Sequence, residues 1–129
     1  MNFDLWTETG EIKTHDDHFY IQKHGAFSGK WSLETGSETL AIAEKFSALT
    51  RQFDITAGGE DMELRAESAF TRNTLLTGGG YYVSYCPVHA MTRRATISGE
   101  WKDFTVVAFG FWLTALTWKR AQQSSAAGS

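Results

Sequence analysis

The sequence predicts a mainly β protein with one C-terminal helix, in which an antiparallel β-barrel wraps around a central hydrophobic α-helix. Short stretches of alternating apolar and polar residues, separated by glycine-containing turns, fill the chain up to about residue 100. They are followed by 104–118, a stretch without a charged residue. A helix that is apolar on every side must be buried on every side. An antiparallel sheet with one apolar face encloses such a helix only by curling around it.

The first part of the chain alternates in the manner of half-buried strands. We predict strands at 3–7, 18–23, 30–34 and 39–44. Thr9-Gly10 is predicted as a turn. Trp31 and Leu33 are expected on the inward face of their strand, and Leu40 and Ile42 on the inward face of the next.

The second part contains the clearest hairpin, with Gly58 and Gly59 in its turn. We predict strands at 51–56, 61–67, 68–77, 81–86 and 90–98. The residues of the hairpin that we expect to face inward are Phe53, Ile55, Met62, Leu64 and Ala66. Pro87 is expected to end its strand because proline cannot donate to a ladder. Gly99 is expected to break the chain before the helix.

The helix is predicted at about 101–120. Asp103 lies near its positive end, and Lys119 and Arg120 near its negative end, as the helix dipole favours. A single barrel domain at 1–122 and a flexible tail at 123–129 complete the predicted organisation.

One side of the predicted helix carries its small residues, Gly110, Thr114 and Thr117. Another backbone would be able to approach the helix closely there. The alternative interpretation is that these residues merely fill gaps in the core.

Composition excludes several classes of protein. At 129 residues the chain is predicted to be one domain, and its net charge of −3 does not indicate a basic surface for nucleic acid. The single cysteine, Cys86, excludes an internal disulfide framework and fits a reducing compartment. The acidic start has no apolar signal-peptide core. We therefore expect a cytoplasmic location, at the membrane surface if lipids are the partners.

A tail-anchored membrane protein is the alternative reading of the helix. The uncharged stretch 104–118 would rise about 22 Å as a helix, whereas the hydrocarbon core is about 30 Å thick. Because charged residues flank it on both sides, a helix buried inside protein is the preferred interpretation.

The order of these segments resembles the tubby C-terminal-like superfamily, and in particular its small LURP-one-related members. The resemblance is carried by ETLAIAEKFSALTRQFDIT, DMELRAES, GGGYYVSYC, AMTRRATISGEW and the helix ending FWLTALTWKR. It covers 39–120, and the first third of the chain only loosely. The resemblance implies about a dozen strands around an apolar C-terminal helix, and this chain is shorter than most members.

The resemblance also implies a non-catalytic binding or scaffold domain without a cofactor, whose partners are membrane lipid headgroups or a protein. Tubby proteins bind phosphoinositides through basic surface residues. The candidate lipid contacts here are Arg93 or Arg94, which as strand neighbours face opposite sides, together with Arg72 or Arg51. Phospholipid scramblases of the same superfamily carry a calcium segment, and no such acidic run occurs here.

Two polar clusters suggest a different function, a small metal-dependent enzyme. His15, Asp16, Asp17 and His18 gather potential ligands in one short run, and Cys86 lies near His89. Neither has the spacing of a known zinc motif, so a solvated turn and a small buried thiol are the preferred interpretations.

The many aromatic residues suggest a further alternative, a carrier for a hydrophobic small molecule with an empty barrel and an external helix. The preferred interpretation is that the aromatic side chains fill the space between helix and barrel wall. Any binding site would then lie on the rim or the outer surface.

Overall fold

The computed structural model describes residues 2–4, 9–13, 17–24, 29–36, 38–45, 52–67, 73–87 and 95–127. The strands are β1 (Asn2–Asp4), β2 (Thr9–Lys13), β3 (His18–Lys23), β4 (Lys30–Thr35), β5 (Glu38–Glu44), β6 (Gln52–Ala57), β7 (Glu60–Ala66), β8 (Thr74–Gly78), β9 (Tyr81–Pro87) and β10 (Ala95–Glu100), and the helix is α1 (Phe104–Ala127). Each strand pairs antiparallel with the next in one sheet. The prediction of a mainly antiparallel β protein with one C-terminal helix is confirmed.

Two glycines lie inside strands where the sequence predicted a turn and a break. Gly10 belongs to β2 and pairs with Ile21. A Cβ at Gly10 would lie 2.6 Å from Nε1 of Trp112, so glycine leaves room for this indole. Gly99 belongs to β10, where its φ of 131° is open to glycine but rarely to other residues. Both predictions were wrong because the reason for glycine is close packing rather than chain reversal.

The inward face of β5 also differs from the prediction. Ala41 and Ala43 are buried on it, whereas Leu40 and Ile42 are only partly buried. Ala43 lies opposite Trp31 in the ladder, and a small residue accommodates a neighbouring indole. The register of β4 and β5 shifts after Leu33, which leaves Leu40 without a partner in β4. This is a β-bulge, a feature that alternation alone does not reveal.

The core lies between α1 and the inner face of the sheet. The largest side chains that are fully buried come from both: Trp31, Trp112, Tyr85, Phe109, Ile21, Leu33, Ile55, Leu64, Leu76, Leu113, Leu116 and Val83. The predicted inward residues Phe53, Ile55, Met62 and Leu64 are buried, and Ala66 is partly buried. Alternation along β6 and β7 therefore predicted the inner face correctly.

The helix is buried on every side over its first half. Every residue from Val106 to Leu116 is buried, a length of about 15 Å or three helical turns. Strands of six or seven residues are about 20 Å long, so the buried length of the helix is close to the length of one strand. The helix begins three residues later than predicted and continues to Ala127. No glycine or proline lies between Arg120 and Ala127 to stop it, so the predicted tail is helical over 123–127.

Strands near both edges of the sheet, β2 and β9, contact α1. Gly10 in β2 packs against Trp112, and the Tyr85 hydroxyl in β9 donates a hydrogen bond of 2.7 Å to the Val107 carbonyl. Burial, with a smaller contribution from Tyr81, raises the pKa of the Tyr85 hydroxyl. The close neighbour of Gly110 is this Tyr85 side chain, so at Gly110 the space is taken by a side chain rather than by another backbone, the other of the two interpretations left open by the sequence.

The two edge strands of the sheet, β1 and β10, do not pair with each other in the described residues. The ladder therefore stays open at this point rather than closing into a continuous barrel. Within the same residues, no helix combines the length and apolar character that a membrane crossing requires.

Candidate functional site

One end of the sheet, which we call the helix-start end, holds three tight turns and the beginning of α1. The turns join β4 to β5, β6 to β7 and β8 to β9. Because consecutive strands run antiparallel, alternate connections lie at the same end of the sheet. The segment 101–103, which joins β10 to α1, lies at this end as well.

A cavity of about 300 Å³ lies at the helix-start end. Its lining residues are Leu33, Leu40, Ala57, Gly58, Glu60, Tyr81, Lys102, Asp103 and Val106. They come from five strands, the helix and two of the connections, so only the folded sheet brings them together. An apolar pocket with a few convergent polar groups is the usual form of a small-molecule site.

The apolar part of the lining depends on the bulge in β5. Leu40 is the residue without a partner in β4, and it lines the cavity together with Leu33 and Val106. A bulge often redirects a side chain beside a functional site. Ala57, the last residue of β6, keeps the space open because its side chain is small.

The polar part of the lining is an ion pair over two glycines. Nζ of Lys102 lies 3.2 Å and 3.4 Å from the two carboxylate oxygens of Glu60. A Cβ at Gly80 would lie 2.5 Å from Cε of Lys102, and one at Gly79 would lie 2.8 Å from Oε2 of Glu60. The glycines of the β8–β9 turn therefore allow both charged side chains to lie flat on the backbone.

Asp103 fixes the start of α1 beside the cavity. Its carboxylate accepts a hydrogen bond of 2.9 Å from the Thr105 N–H, the bond of a helix N-cap. Its own N–H donates to the Tyr81 hydroxyl at 2.9 Å. Tyr81 is buried, so the first turn of the helix is tied to β9 at the wall of the cavity.

Two aromatic residues lie next to the lining residues Lys102 and Asp103 in the sequence. Trp101 is 42% exposed and Phe104 is 54% exposed, and their rings meet edge to face at 5.7 Å. They enclose Lys102 and Asp103 between them along the chain. Large aromatic side chains that stay exposed beside a pocket are typical of an interaction surface.

Most of the sequence-predicted site residues lie outside the described residues: Arg51, Arg72, Arg93, Arg94, His15, Asp16 and His89. Their predicted roles stay predictions.

Three further members of the predicted clusters, Asp17, His18 and Cys86, are described. His18 contacts the Glu11 carboxylate and stacks on Tyr20 at 4.5 Å between ring centroids. Cys86 lies 3.5 Å from the Ser84 hydroxyl. No group of three or more potential metal ligands occurs in the part of the chain that the structure describes.

Sequence reasoning did not find the cavity, although it favoured a site on the rim. The signal in the sequence that could have indicated the cavity is the pair of aromatic residues on either side of Lys102 and Asp103. The sequence alone assigns these residues to the start of the helix. No family model, curated protein or solved structure matches the chain. Function is therefore inferred from the cavity and its surroundings.

Proposed function

We propose that the protein is a non-catalytic binding domain whose sheet curls around α1 in the manner of tubby-like proteins. Its cavity at the helix-start end binds a small amphipathic molecule of the membrane-lipid type. The observation that carries this proposal is the lining itself, with Leu33, Leu40 and Val106 on the apolar side and the Lys102–Glu60 ion pair on the polar side.

The number of strands fits a wall around one helix. A sheet packs about 10 Å from the element that it covers, which sets a circumference of about 63 Å around a helix axis. Strands spaced about 4.8 Å apart and tilted by about 40° each occupy about 6 Å of that circumference. Ten strands then supply about 60 Å. The burial of α1 on every side is consistent with this arrangement.

The size and chemistry of the cavity favour one lipid chain rather than a whole lipid. A volume of about 300 Å³ takes roughly ten non-hydrogen atoms, at about 30 Å³ for each water-sized unit. The apolar part of the ligand would lie against Leu33 and Leu40, and its polar part would face Lys102. Trp101 and Phe104 would contact the rest of the lipid, since aromatic side chains favour the membrane–water interface.

An empty-barrel carrier requires a central cavity and an external helix. Val107, Phe109 and Leu113 of α1 are fully buried, which disfavours an external helix and supports a helix inside the curled sheet. The cavity beside Tyr81 and Lys102 lies at one end of the core. We therefore place the ligand at the helix-start end.

Calorimetric titration with monomeric dihexanoylphosphatidylcholine tests the proposal. The wild-type chain should bind this short-chain lipid, and Ala57→Leu should weaken binding at least tenfold because the added side chain fills the cavity. The matched control is Ala66→Leu, since Ala66 lies on the same face of the sheet at its opposite end. Equal weakening by both variants, or no binding by the wild type, would refute the proposed site.

The non-catalytic part of the proposal needs a separate measurement. The lipid recovered after prolonged incubation with the protein should be chemically unchanged. Released hexanoate or choline phosphate, in amounts that grow with protein concentration, would show an esterase or lipase instead.

A further inference from the structure

The Tyr81 hydroxyl has an unused donor at the wall of the cavity. Tyr81 is only 8% exposed and lines the cavity. Its oxygen accepts the hydrogen bond from the Asp103 N–H, and no described residue accepts the proton of its hydroxyl. A buried donor without an acceptor is costly, so such groups normally find a partner. The cavity therefore presents one hydrogen-bond donor to its occupant.

The charged groups around the cavity already have partners of opposite sign. The Lys102 ammonium contacts both oxygens of Glu60, and the Asp103 carboxylate accepts from the positive start of α1. An anionic ligand would meet two carboxylates and one ammonium. A cationic ligand would meet Lys102 and the helix N-terminus. Neither sign of charge finds a free counter-charge in this lining.

On the premise that the proposed function holds, we infer that the ligand group inside the cavity is uncharged and carries an oxygen acceptor. A carboxylic ester fits this description, because its carbonyl oxygen accepts one hydrogen bond and its alkyl chain is apolar. Tyr81 is then the specificity-determining residue, since its hydroxyl donates to that carbonyl. Leu33, Leu40 and Val106 receive the alkyl chain.

Three probes with the same alkyl chain separate the charge classes: methyl octanoate, octanoate and octylammonium. Calorimetric titration of the full chain should show binding of methyl octanoate, with octanoate and octylammonium at least tenfold weaker. Tyr81→Phe keeps the ring and removes the hydroxyl, and with it both the donor and the oxygen that accepts the Asp103 N–H. We expect it to weaken binding of methyl octanoate by about two- to twelvefold, the effect of one hydrogen bond.

Tyr82→Phe is the matched control for Tyr81→Phe. Tyr82 is the next residue of β9, is 59% exposed, and does not line the cavity, so its hydroxyl should have no effect on binding. A thermal melt of each variant checks folding, and the comparison of probes on the wild-type chain needs no variant.

The outcomes separate this inference from the proposed function. Tighter or equal binding of octanoate or octylammonium would overturn the uncharged ligand class while leaving the cavity as the site. Unchanged binding of methyl octanoate by a folded Tyr81→Phe variant would overturn the role of Tyr81. Absence of binding by all three probes and by the short-chain phosphatidylcholine would overturn both proposals.

Discussion

Gly110→Ala is the sharpest test of how α1 packs into the sheet. Gly110 lies in the buried part of the helix, where a Cβ would lie 2.5 Å from the Tyr85 hydroxyl oxygen and 3.2 Å from Cζ. Real Cβ atoms essentially never come that close to another atom. The phenol must therefore move, and its hydrogen bond to the Val107 carbonyl, 2.7 Å long, lengthens or breaks.

Two effects of opposite sign set the magnitude. Alanine favours a helix interior over glycine by about 1 kcal/mol. Overpacking a close-packed core costs about 1–3 kcal/mol, and loss of the hydrogen bond costs about 0.5–1.5 kcal/mol more. The expected net loss in the free energy of unfolding is about 2 kcal/mol. For a domain of this size, the midpoint of thermal unfolding should fall by roughly 8 °C.

Denaturant unfolding followed by tryptophan fluorescence measures the effect, and the sign is decisive. A variant more stable than the wild type would mean that helix propensity wins and that Tyr85 does not touch Gly110. The same substitution in a Tyr85→Phe background should cost about 1 kcal/mol less, because the hydroxyl that it displaces is gone. Additive effects of the two substitutions, within about 0.5 kcal/mol, would refute the contact.

Three further predictions concern α1 and its surroundings. Because burial raises the pKa of Tyr85, the unfolded chain loses this proton first, so stability should fall above about pH 10; between pH 9 and pH 11 the total fall, measured by unfolding, should exceed that of Tyr85→Phe by about 1.4 kcal/mol. Asp103→Ala should lower stability by about 0.5–2 kcal/mol and Asp103→Asn by less, since asparagine also caps helices; equal losses in chemical unfolding would argue against the cap. Gly99→Ala should prevent stable folding at 37 °C, because its Cβ would overlap the Tyr82 carbonyl oxygen and its φ is strained; a cooperative melt near the wild-type midpoint would contradict this.

Local patterns predicted much of the sheet. The central hairpin was predicted with its inner residues, because alternation and a glycine turn are local signals that tertiary contacts did not override. The burial of α1 was also predictable, since a helix without a polar side has no stable place in water. Its start lies three residues later than predicted because Asp103 acts as the cap.

The errors have a common cause in side-chain volume. Alternation in TLAIAE placed Leu40 and Ile42 inward, whereas the structure buries Ala41 and Ala43 there. The fully buried indole of Trp31, opposite Ala43, explains why a small residue fits that face. The turn predicted at Gly10 was wrong for a related reason, because this glycine leaves space for the Trp112 side chain. Local hydrophobicity contains no information about which distant side chain needs that space.

The sequence by itself determined that short antiparallel strands precede one helix, and that this helix is buried. These features follow from residue periodicity and from the cost of exposing an apolar helix to water. Only the tertiary structure decided the bulge at Leu40, the contact of Tyr85 with Gly110, and the cavity beside Tyr81 and Lys102. Each of these depends on the register between strands and on groups far apart in the chain, which meet only when the whole sheet has formed.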